Sequence, residues 1–211
     1  MEPGRDGGRG LTERQAERRA RVINAATELA DGGGYEAVQM RDVAAKAHVA
    51  LGTLYRYFSS KDHLLVSCLG AWTVEFVQRL QLRPPTGPTP ADRVVDVLRR
   101  AAGALERSPD LMGAFVTGLT SISAEDPTGM AEVTEVYGQL YEFITIAMDD
   151  DDGPDRTSVV RVIGEVWLAT LMARVRGWAQ SGQMADDLEA AVRLLIPTSP
   201  TARRAPARAR A

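Results

Sequence analysis

The spacing of apolar residues constrains the fold of this 211-residue chain more than any other feature. Apolar side chains recur at intervals of three and four residues along most of its length, as Val22, Ile23, Ala26 and Leu29 do. The alternation of apolar and polar residues that is typical of a half-buried strand is almost absent. The spacing therefore predicts an all-α protein in which each helix buries one apolar stripe.

Residues that start or stop helices divide the chain into about nine predicted helices. Thr12 opens the capping-box pattern "TERQ" and predicts the start of the first helix, and the glycines of 31–34 predict its end. Ser59 or Ser60 is predicted to cap a long helix over 61–80. The other predicted helices cover 40–47, 51–58, 130–148, 155–181 and 184–196, and two begin at Pro90 and Pro109. Together they form a compact N-terminal trio and a larger bundle behind it.

Composition excludes several classes of protein. The chain has no run of eighteen or more apolar residues, and its first residues, "MEPGRDGGRG", lack the apolar stretch of a signal peptide. We therefore expect a cytoplasmic location and no contact with a membrane. The single cysteine, Cys68, excludes an intrachain disulfide and a cysteine-based zinc cluster, and is expected to be a small buried hydrophobe.

The sequence contains no stretch that matches a known catalytic or metal-binding motif. The acidic stretch "DDDDG" departs from the EF-hand pattern, because Met148 and Val159 stand where the first aspartate and the bidentate glutamate should be. His48 and His63 have no pair of carboxylates and no set of thiols to work with. We expect a protein that is not an enzyme and that uses no metal or cofactor.

Charge is unevenly distributed along the chain. The net charge of −3 is the sum of +1 over residues 1–65, −8 over 66–196 and +4 over 197–211. A nucleic-acid-binding domain usually carries a basic footprint, so charge alone supports DNA binding only weakly. The case for DNA depends on where the cations stand.

The stretch "HVALGTLYRYFSSK", residues 48–61, places cations and tyrosines on a short helix that follows another short helix and a tight turn. Two such helices are typical of a helix-turn-helix, whose second helix enters the major groove. If Leu54 and Phe58 anchor that helix, a step of 100° per residue puts Gly52 and Arg56 on its outer side. The residues predicted to contact DNA are Gln39, Arg41, Leu51, Gly52, Thr53, Tyr55, Arg56, Tyr57 and Lys61. The alternative is that the tyrosines are half-buried packing residues and the cations an ordinary solvated face.

The sequence "VQMRDVAAKAHVALGTLYRYFSSKDHLL" resembles the signature of the TetR family of transcriptional regulators. It departs from that signature at two positions. His48 replaces a glycine in a turn that often needs positive φ, which histidine tolerates better than most residues. Ala50 replaces a capping serine or threonine, and a missing cap costs roughly 1 kcal/mol.

Three segments, "GGYEAVQMRDVA", "VALGTLYRYF" and "VRLLI", resemble the KstR-type repressors of sterol catabolism within that family. The resemblance implies a homodimeric repressor released from a palindromic operator by a hydrophobic ligand such as a sterol-derived acyl-CoA. Two alternatives stay open. The first is a TetR-like regulator of a different pathway, either a fatty acyl-CoA pathway or xenobiotic efflux. The second is a helical lipid-binding protein without DNA function. The implied domains are an arm at 1–11 and a basic tail at 197–211, both disordered, a DNA-binding head at 12–60, and a ligand-binding and dimerisation domain at 61–196.

The middle helices carry more large apolar residues than one buried stripe requires, and we interpret the excess as a lipophilic cavity between helices. Ordinary core packing is the alternative. The predicted ligand-binding residues are Trp72, Phe76, Met112, Phe115, Leu119, Tyr137, Tyr141, Ile144, Trp167 and Leu171. Should the ligand carry a CoA headgroup, Arg83, Arg99 or Arg100 are candidates to meet its phosphates, with solvated surface as the other interpretation.

The last two helices are predicted to form the dimer interface, because their apolar faces are broad. The predicted dimerisation residues are Val159, Val162, Ile163, Val166, Thr170, Arg174, Trp178, Leu188, Val192 and Leu195. The alternative is that both faces pack only within one chain. A two-fold dimer would present its two heads one DNA turn apart, roughly 34–36 Å.

Overall fold

The computed structural model describes residues 7–148 and 156–196, and within them the chain forms nine helices and no strand. The helices are α1 (Gly7–Ala37), α2 (Met40–Lys46), α3 (Leu51–Tyr57), α4 (Lys61–Leu82), α5 (Pro90–Glu106), α6 (Pro109–Ser121), α7 (Pro127–Met148), α8 (Arg156–Val175) and α9 (Gln183–Leu195). The all-α prediction is confirmed. The acidic stretch 149–152, the tail 197–211 and the first six residues of the predicted arm lie outside the described residues.

Local capping explains the starts of two helices, α4 and α5. Ser60 accepts a hydrogen bond from the backbone N–H of His63 at 3.0 Å and so caps α4. Thr89 and Asp92 form a reciprocal capping box at the start of α5, with Pro90 in the first turn. These starts agree with the sequence signals because each cap needs only neighbouring residues.

The first helix begins earlier than the sequence predicts. α1 starts at Gly7, five positions before Thr12. Helix propensities are weak preferences, and a glycine costs only about 1 kcal/mol in a helix, so an established helix can extend through such residues. The predicted stop is visible as a break at Gly33 and Gly34, where Gly34 has a φ of +67°. A short helical stretch then continues to Ala37.

The end of α8 also differs from the prediction, because the helix stops at Val175 rather than near residue 181. Gly177 takes a φ of +73°. Its N–H donates to the Arg174 carbonyl at 3.2 Å, and the Trp178 N–H donates to the Ala173 carbonyl at 2.8 Å. This pair of bonds is the Schellman motif, which a glycine stabilises at this position. Trp178 therefore lies beyond the helix on which it was predicted.

The helices pack so that α4 runs from the N-terminal group into the bundle. It contacts α1, α6 and α7. α6 crosses it closely at Gly118, where an added Cβ would stand 2.7 Å from the Cβ of Leu65. Cys68, on the same helix, is buried as expected, and burial raises the pKa of its thiol to about 12. Within the described part of the chain, no helix is both long and apolar enough to cross a membrane.

Candidate functional site

The two short helices α2 and α3 are held together by apolar side chains. Leu54 and Phe58 are both 0% exposed, and Val43 and Ala44 on α2 are also buried. Leu54 and Phe58 stand four residues apart at the two ends of one helical face. With that face turned inward, the other side of α3 is directed to the surface.

The turn between α2 and α3 carries the strain expected at His48, whose φ is +54°. Its N–H donates to the Ala45 carbonyl at 3.1 Å, and the Val49 N–H donates to the Ala44 carbonyl at 3.0 Å. These bonds close the end of α2 in the manner that usually uses glycine. At the start of α3, Ala50 provides no side-chain cap. The helix has only two turns and depends on its buried anchors.

The outer face of α3 presents the predicted reading residues. Tyr55 is 51% exposed, Arg56 and Gly52 are exposed, and Leu51, Thr53 and Tyr57 are half-buried. A Cβ added at Gly52 would meet no atom within 4 Å, so this part of the helix is open to a close approach. Hydroxyl, guanidinium and open backbone on one convex face are the groups that reach phosphates and base edges.

Three other predicted DNA contacts flank α3, and two of them have partners within the chain. Arg41 is exposed in the first turn of α2. The amide of Gln39 donates to the Glu36 carbonyl at 2.9 Å. The ammonium of Lys61 lies 3.6 Å from the centre of the Tyr35 ring. Lys61 is therefore positioned by a cation–π contact rather than extended into solvent.

Tyr35 is a residue that sequence reasoning missed. Its hydroxyl donates to Asp62 Oδ1 at 2.8 Å, and burial followed by this hydrogen bond raises the pKa of Tyr35 to about 12. Tyr35 thus contacts two consecutive residues in the first turn of α4. A large aromatic residue directly after the glycines of 31–34 was the available signal.

A charged cluster joins the N-terminal helices to α7. Arg19 on α1 donates to Glu132 on α7 at 2.8 Å and to the Ser67 hydroxyl on α4 at 3.2 Å. His63 is 2% exposed; its Nδ1 accepts from the Ser59 N–H at 3.1 Å, and its Nε2 lies 3.9 Å from Glu132. The His63 imidazole, then Ser67 and Arg19, lower the pKa of Glu132 to about 2. This half-buried carboxylate ties three helices from distant parts of the sequence.

Two small cavities lie inside the bundle, with volumes of about 40 Å³ and 20 Å³. The larger is lined by five of the ten predicted ligand-binding residues: Trp72, Leu119, Tyr137, Trp167 and Leu171. The smaller adds Met112 and Phe115. Sequence reasoning missed Leu69, Leu105 and Leu168, which line both cavities, because each looks like an ordinary core residue.

The other three predicted ligand residues do not line these cavities. Phe76 stacks on Trp72 with ring centres 5.4 Å apart. Ile144 is 0% exposed within the core. Tyr141 packs over Gly164, where an added Cβ would stand 2.5 Å from its ring. Phe76 and Tyr141 thus lie next to the lining residues Trp72 and Tyr137, whereas Ile144 is a core residue.

The two arginines predicted to meet phosphates from α5 already have acidic partners. Arg99 forms an ion pair with Glu189, and Arg100 donates to Asp96 at 3.1 Å. The side chain of Arg83 is exposed. Arg99 and Arg100 are therefore paired with acidic residues at the surface, which agrees with the alternative that they are solvated surface residues.

The structure corrects part of the predicted dimer interface. Ile163 and Val192 are 0% exposed, Leu188 is 1% exposed and Thr170 is 9% exposed within a single chain, so these four form the core of one protomer. Arg174 is directed toward Glu106 on α5. Because a broad apolar face covers more than one side of a helix, its inner side packs against other helices of the same chain. Val159, Val162, Val166 and Leu195 are only partly buried, and Trp178 is 77% exposed.

Leu194 is the most exposed large apolar residue of the last two helices, at 86%, and it was not predicted. Periodicity around Leu188 and Val192 assigns it to the polar side of α9. An apolar residue on that side was the only signal in the sequence that could have drawn attention to it.

Comparisons with known proteins agree with this geometry. A family model for bacterial regulatory proteins of the tetR family matches residues 22–68, and one for the tetracyclin repressor-like C-terminal domain matches residues 87–195. The HTH-type transcriptional repressor KstR of Rhodococcus jostii is 41% identical over 184 residues, or 86% of this chain and 84% of that protein.

Solved structures show the same fold. A TetR transcriptional regulator from Rhodococcus sp. RHA1 superposes with a TM-score of 0.79 at 26% identity, covering 87% of this chain and 98% of the other. Bacillus subtilis FadR in complex with stearoyl-CoA superposes with a TM-score of 0.60 at 20% identity, covering 85% and 98%. The resemblance to TetR regulators and to KstR is thereby confirmed. With both halves matched and a relative 41% identical across most of its length, the chain belongs to the TetR family of bacterial transcriptional regulators.

Proposed function

We propose that this protein is a homodimeric repressor that binds a palindromic operator through α3 and is released by a hydrophobic effector, a sterol-derived acyl-CoA. The main support is the distribution of side chains around α3: Leu54 and Phe58 are buried, while Tyr55 and Arg56 are exposed to solvent. In this assignment the head comprises 12–60 and the sensing domain 61–196. Each head of the dimer reads one half-site.

Dimerisation is proposed through the outer sides of α8 and α9. Leu194 and Trp178 are large apolar side chains exposed by 86% and 77%, and Val162 and Val166 on α8 are only partly covered. Apolar residues of this kind at a surface favour contact with a partner. A second copy of the same face would cover them around a two-fold axis.

The dimer assignment is tested by replacing Leu194 with aspartate. A carboxylate buried in an apolar interface is costly, so the dimer should dissociate at least about tenfold more readily, measured by sedimentation equilibrium. Leu82→Asp is the matched control, since Leu82 is 83% exposed on α4. A wild-type monomer, or a Leu194→Asp variant as dimeric as the control, would exclude this interface.

The effector is proposed to enlarge the interior cavities. Their volumes of about 40 Å³ and 20 Å³ each hold no more than about one water molecule. A sterol or acyl body can therefore bind only if the surrounding helices move. Support for this ligand class comes from the apolar lining, from the motifs shared with repressors of sterol catabolism, and from the FadR neighbour that binds stearoyl-CoA.

Release would follow from the different affinity of the effector for two arrangements of the bundle. The open arrangement displaces α6, and Gly118 brings α6 against Leu65 and the Asp62 carbonyl at the start of α4. Movement of α4 changes the separation of the two heads. A coupling of about 1–3 kcal/mol lowers operator affinity some 5- to 150-fold.

The function is tested by selecting operators from random duplexes with the purified protein and then titrating effectors. We expect a palindromic site and a 5- to 150-fold loss of affinity with the CoA thioester of a cholesterol side-chain acid. Release by stearoyl-CoA alone would assign the protein to fatty acyl-CoA metabolism. Ligand binding without any salt-dependent retention of DNA would instead indicate a lipid-binding protein and rule out the regulator.

A further inference from the structure

A surface cleft of about 310 Å³ lies between the end of α1, the start of α6 and the end of α8. Its walls include Tyr35, Met112 and Arg174. Met112 is only 2% exposed and also lines the smaller interior cavity. That cavity shares wall residues such as Leu119 with the larger one. Met112, a flexible side chain, therefore borders both the open cleft and an apolar cavity of the interior.

The guanidinium of Arg174 has an unusual position in this cleft. Its Nε is buried without a hydrogen-bond partner. Glu106 Oε1 lies 4.0 Å from that atom, too far for a hydrogen bond, and already accepts the Gly182 N–H at 3.2 Å. The Arg174 side chain as a whole is 28% exposed, so a ligand oxygen in the cleft would accept from its terminal nitrogens and gain a charge-assisted hydrogen bond. Asp110 is also in the cleft wall, and its negative charge disfavours a ligand end that carries more than one negative charge.

We propose that this cleft is the mouth of the effector site: the polar end of the effector binds at Arg174, and its apolar body passes Met112 into the interior cavities. The ligand class is an amphipathic molecule with a long apolar body and one carboxylate or thioester carbonyl oxygen. The inference rests on the proposed function, because the occupant is the same effector. It adds the direction in which the effector enters and the group that recognises its polar end.

The cleft also adjoins the DNA-binding head. Tyr35 forms one of its walls, donates to Asp62 at 2.8 Å and lies beneath the Lys61 ammonium at 3.6 Å. An occupant therefore lies against the residue that holds the first turn of α4. Opening of the Met112 side moves α6, which crosses α4 one turn further on, near Leu65.

The test is calorimetric titration of the full chain with four probes: laurate, lauroyl-CoA, cholestenoic acid and the CoA thioester of cholestenoic acid. Arg174→Gln should weaken binding of the probe that the wild type binds by about 10- to 100-fold, as expected for loss of a charge-assisted hydrogen bond. Arg176→Gln, an exposed arginine two positions further on, is the matched control and should bind as the wild type does. Binding of an acid identifies a free carboxylate as the recognised group, and binding of a thioester alone identifies its carbonyl.

Equal affinity of Arg174→Gln and the wild type would overturn the proposal. Should circular dichroism show that Arg174→Gln is misfolded, Met112→Phe decides, because a stiffer side chain narrows the passage and leaves the guanidinium intact. It should weaken binding about tenfold, and unchanged affinity would overturn the proposal. Failure of all four probes would overturn it as well, while operator retention in a gel-shift assay would show that the regulator assignment still stands.

Discussion

Replacing Arg56 with alanine is expected to weaken sequence-specific DNA binding strongly while leaving the fold intact. Arg56 is exposed on the outer face of α3, opposite the buried Leu54, and its side chain does not support the core. A bidentate contact to a base is worth about 1–3 kcal/mol, and a dimer contains two copies. Operator affinity should therefore fall roughly 30-fold to more than 10⁴-fold in a gel-shift titration at fixed salt.

Arg83→Ala is the control for this experiment, because it also removes one exposed guanidinium but lies at the end of α4, outside α2 and α3. It should change operator affinity little. Scrambled DNA separates two roles of Arg56. If Arg56 contacts a base, Arg56→Ala should lose much more affinity for the operator than for scrambled DNA. If Arg56 contacts a phosphate, the variant should lose the same affinity for both DNAs. Operator affinity equal to that of Arg83→Ala would contradict the proposed reading face.

Phe58→Ala is expected to destabilise the protein by about 3–5 kcal/mol, the usual cost of removing a buried aromatic side chain. Phe58 is 0% exposed, its ring is inclined at 70° to the His63 ring with centres 5.5 Å apart, and the Arg19 guanidinium lies 5.4 Å from its centre. It therefore anchors both the end of α3 and the charged cluster around Glu132. Urea unfolding of the full chain at one protein concentration measures the loss.

Leu82→Ala is the matched control, because Leu82 is 83% exposed and should change the free energy of unfolding by no more than about 0.5 kcal/mol. We also expect Phe58→Ala to lose operator binding below its unfolding midpoint, since α3 has no side-chain cap and depends on this anchor. A variant as stable as Leu82→Ala would show that Phe58 is dispensable for holding α3 in place.

The features that could be predicted from the sequence are those that neighbouring residues determine. The burial of Leu54 and Phe58 follows from helical spacing, whereas the positive φ of His48 and the missing cap at Ala50 were expected from the resemblance to the TetR signature. The exact end of α8 was also a local signal, carried by Gly177, but the prediction extended the apolar pattern past it. The prediction failed there because two local rules disagreed: the glycine indicated a helix end, and the apolar spacing indicated that the helix continued.

The sorting of the later apolar residues could not be predicted in the same way. Ile163, Leu188 and Val192 look like interface residues on their own helices, yet α8 and α9 bury them against other helices of the same chain. Leu194, which periodicity places on a polar side, remains exposed. Whether an apolar stripe is covered from within or by a partner depends on which helices surround it.

The sequence by itself determined that the chain is helical, where most helices begin, and which side of α3 is turned outward, because helix periodicity and capping act over a few residues. Only the tertiary structure decided which residues line the cavities, that Arg19 meets Glu132 across 113 positions, and that Arg174 stands in a cleft next to Tyr35. Those contacts join helices that are distant in the chain. Their geometry is set by how whole helices pack, and no spacing along the sequence encodes it.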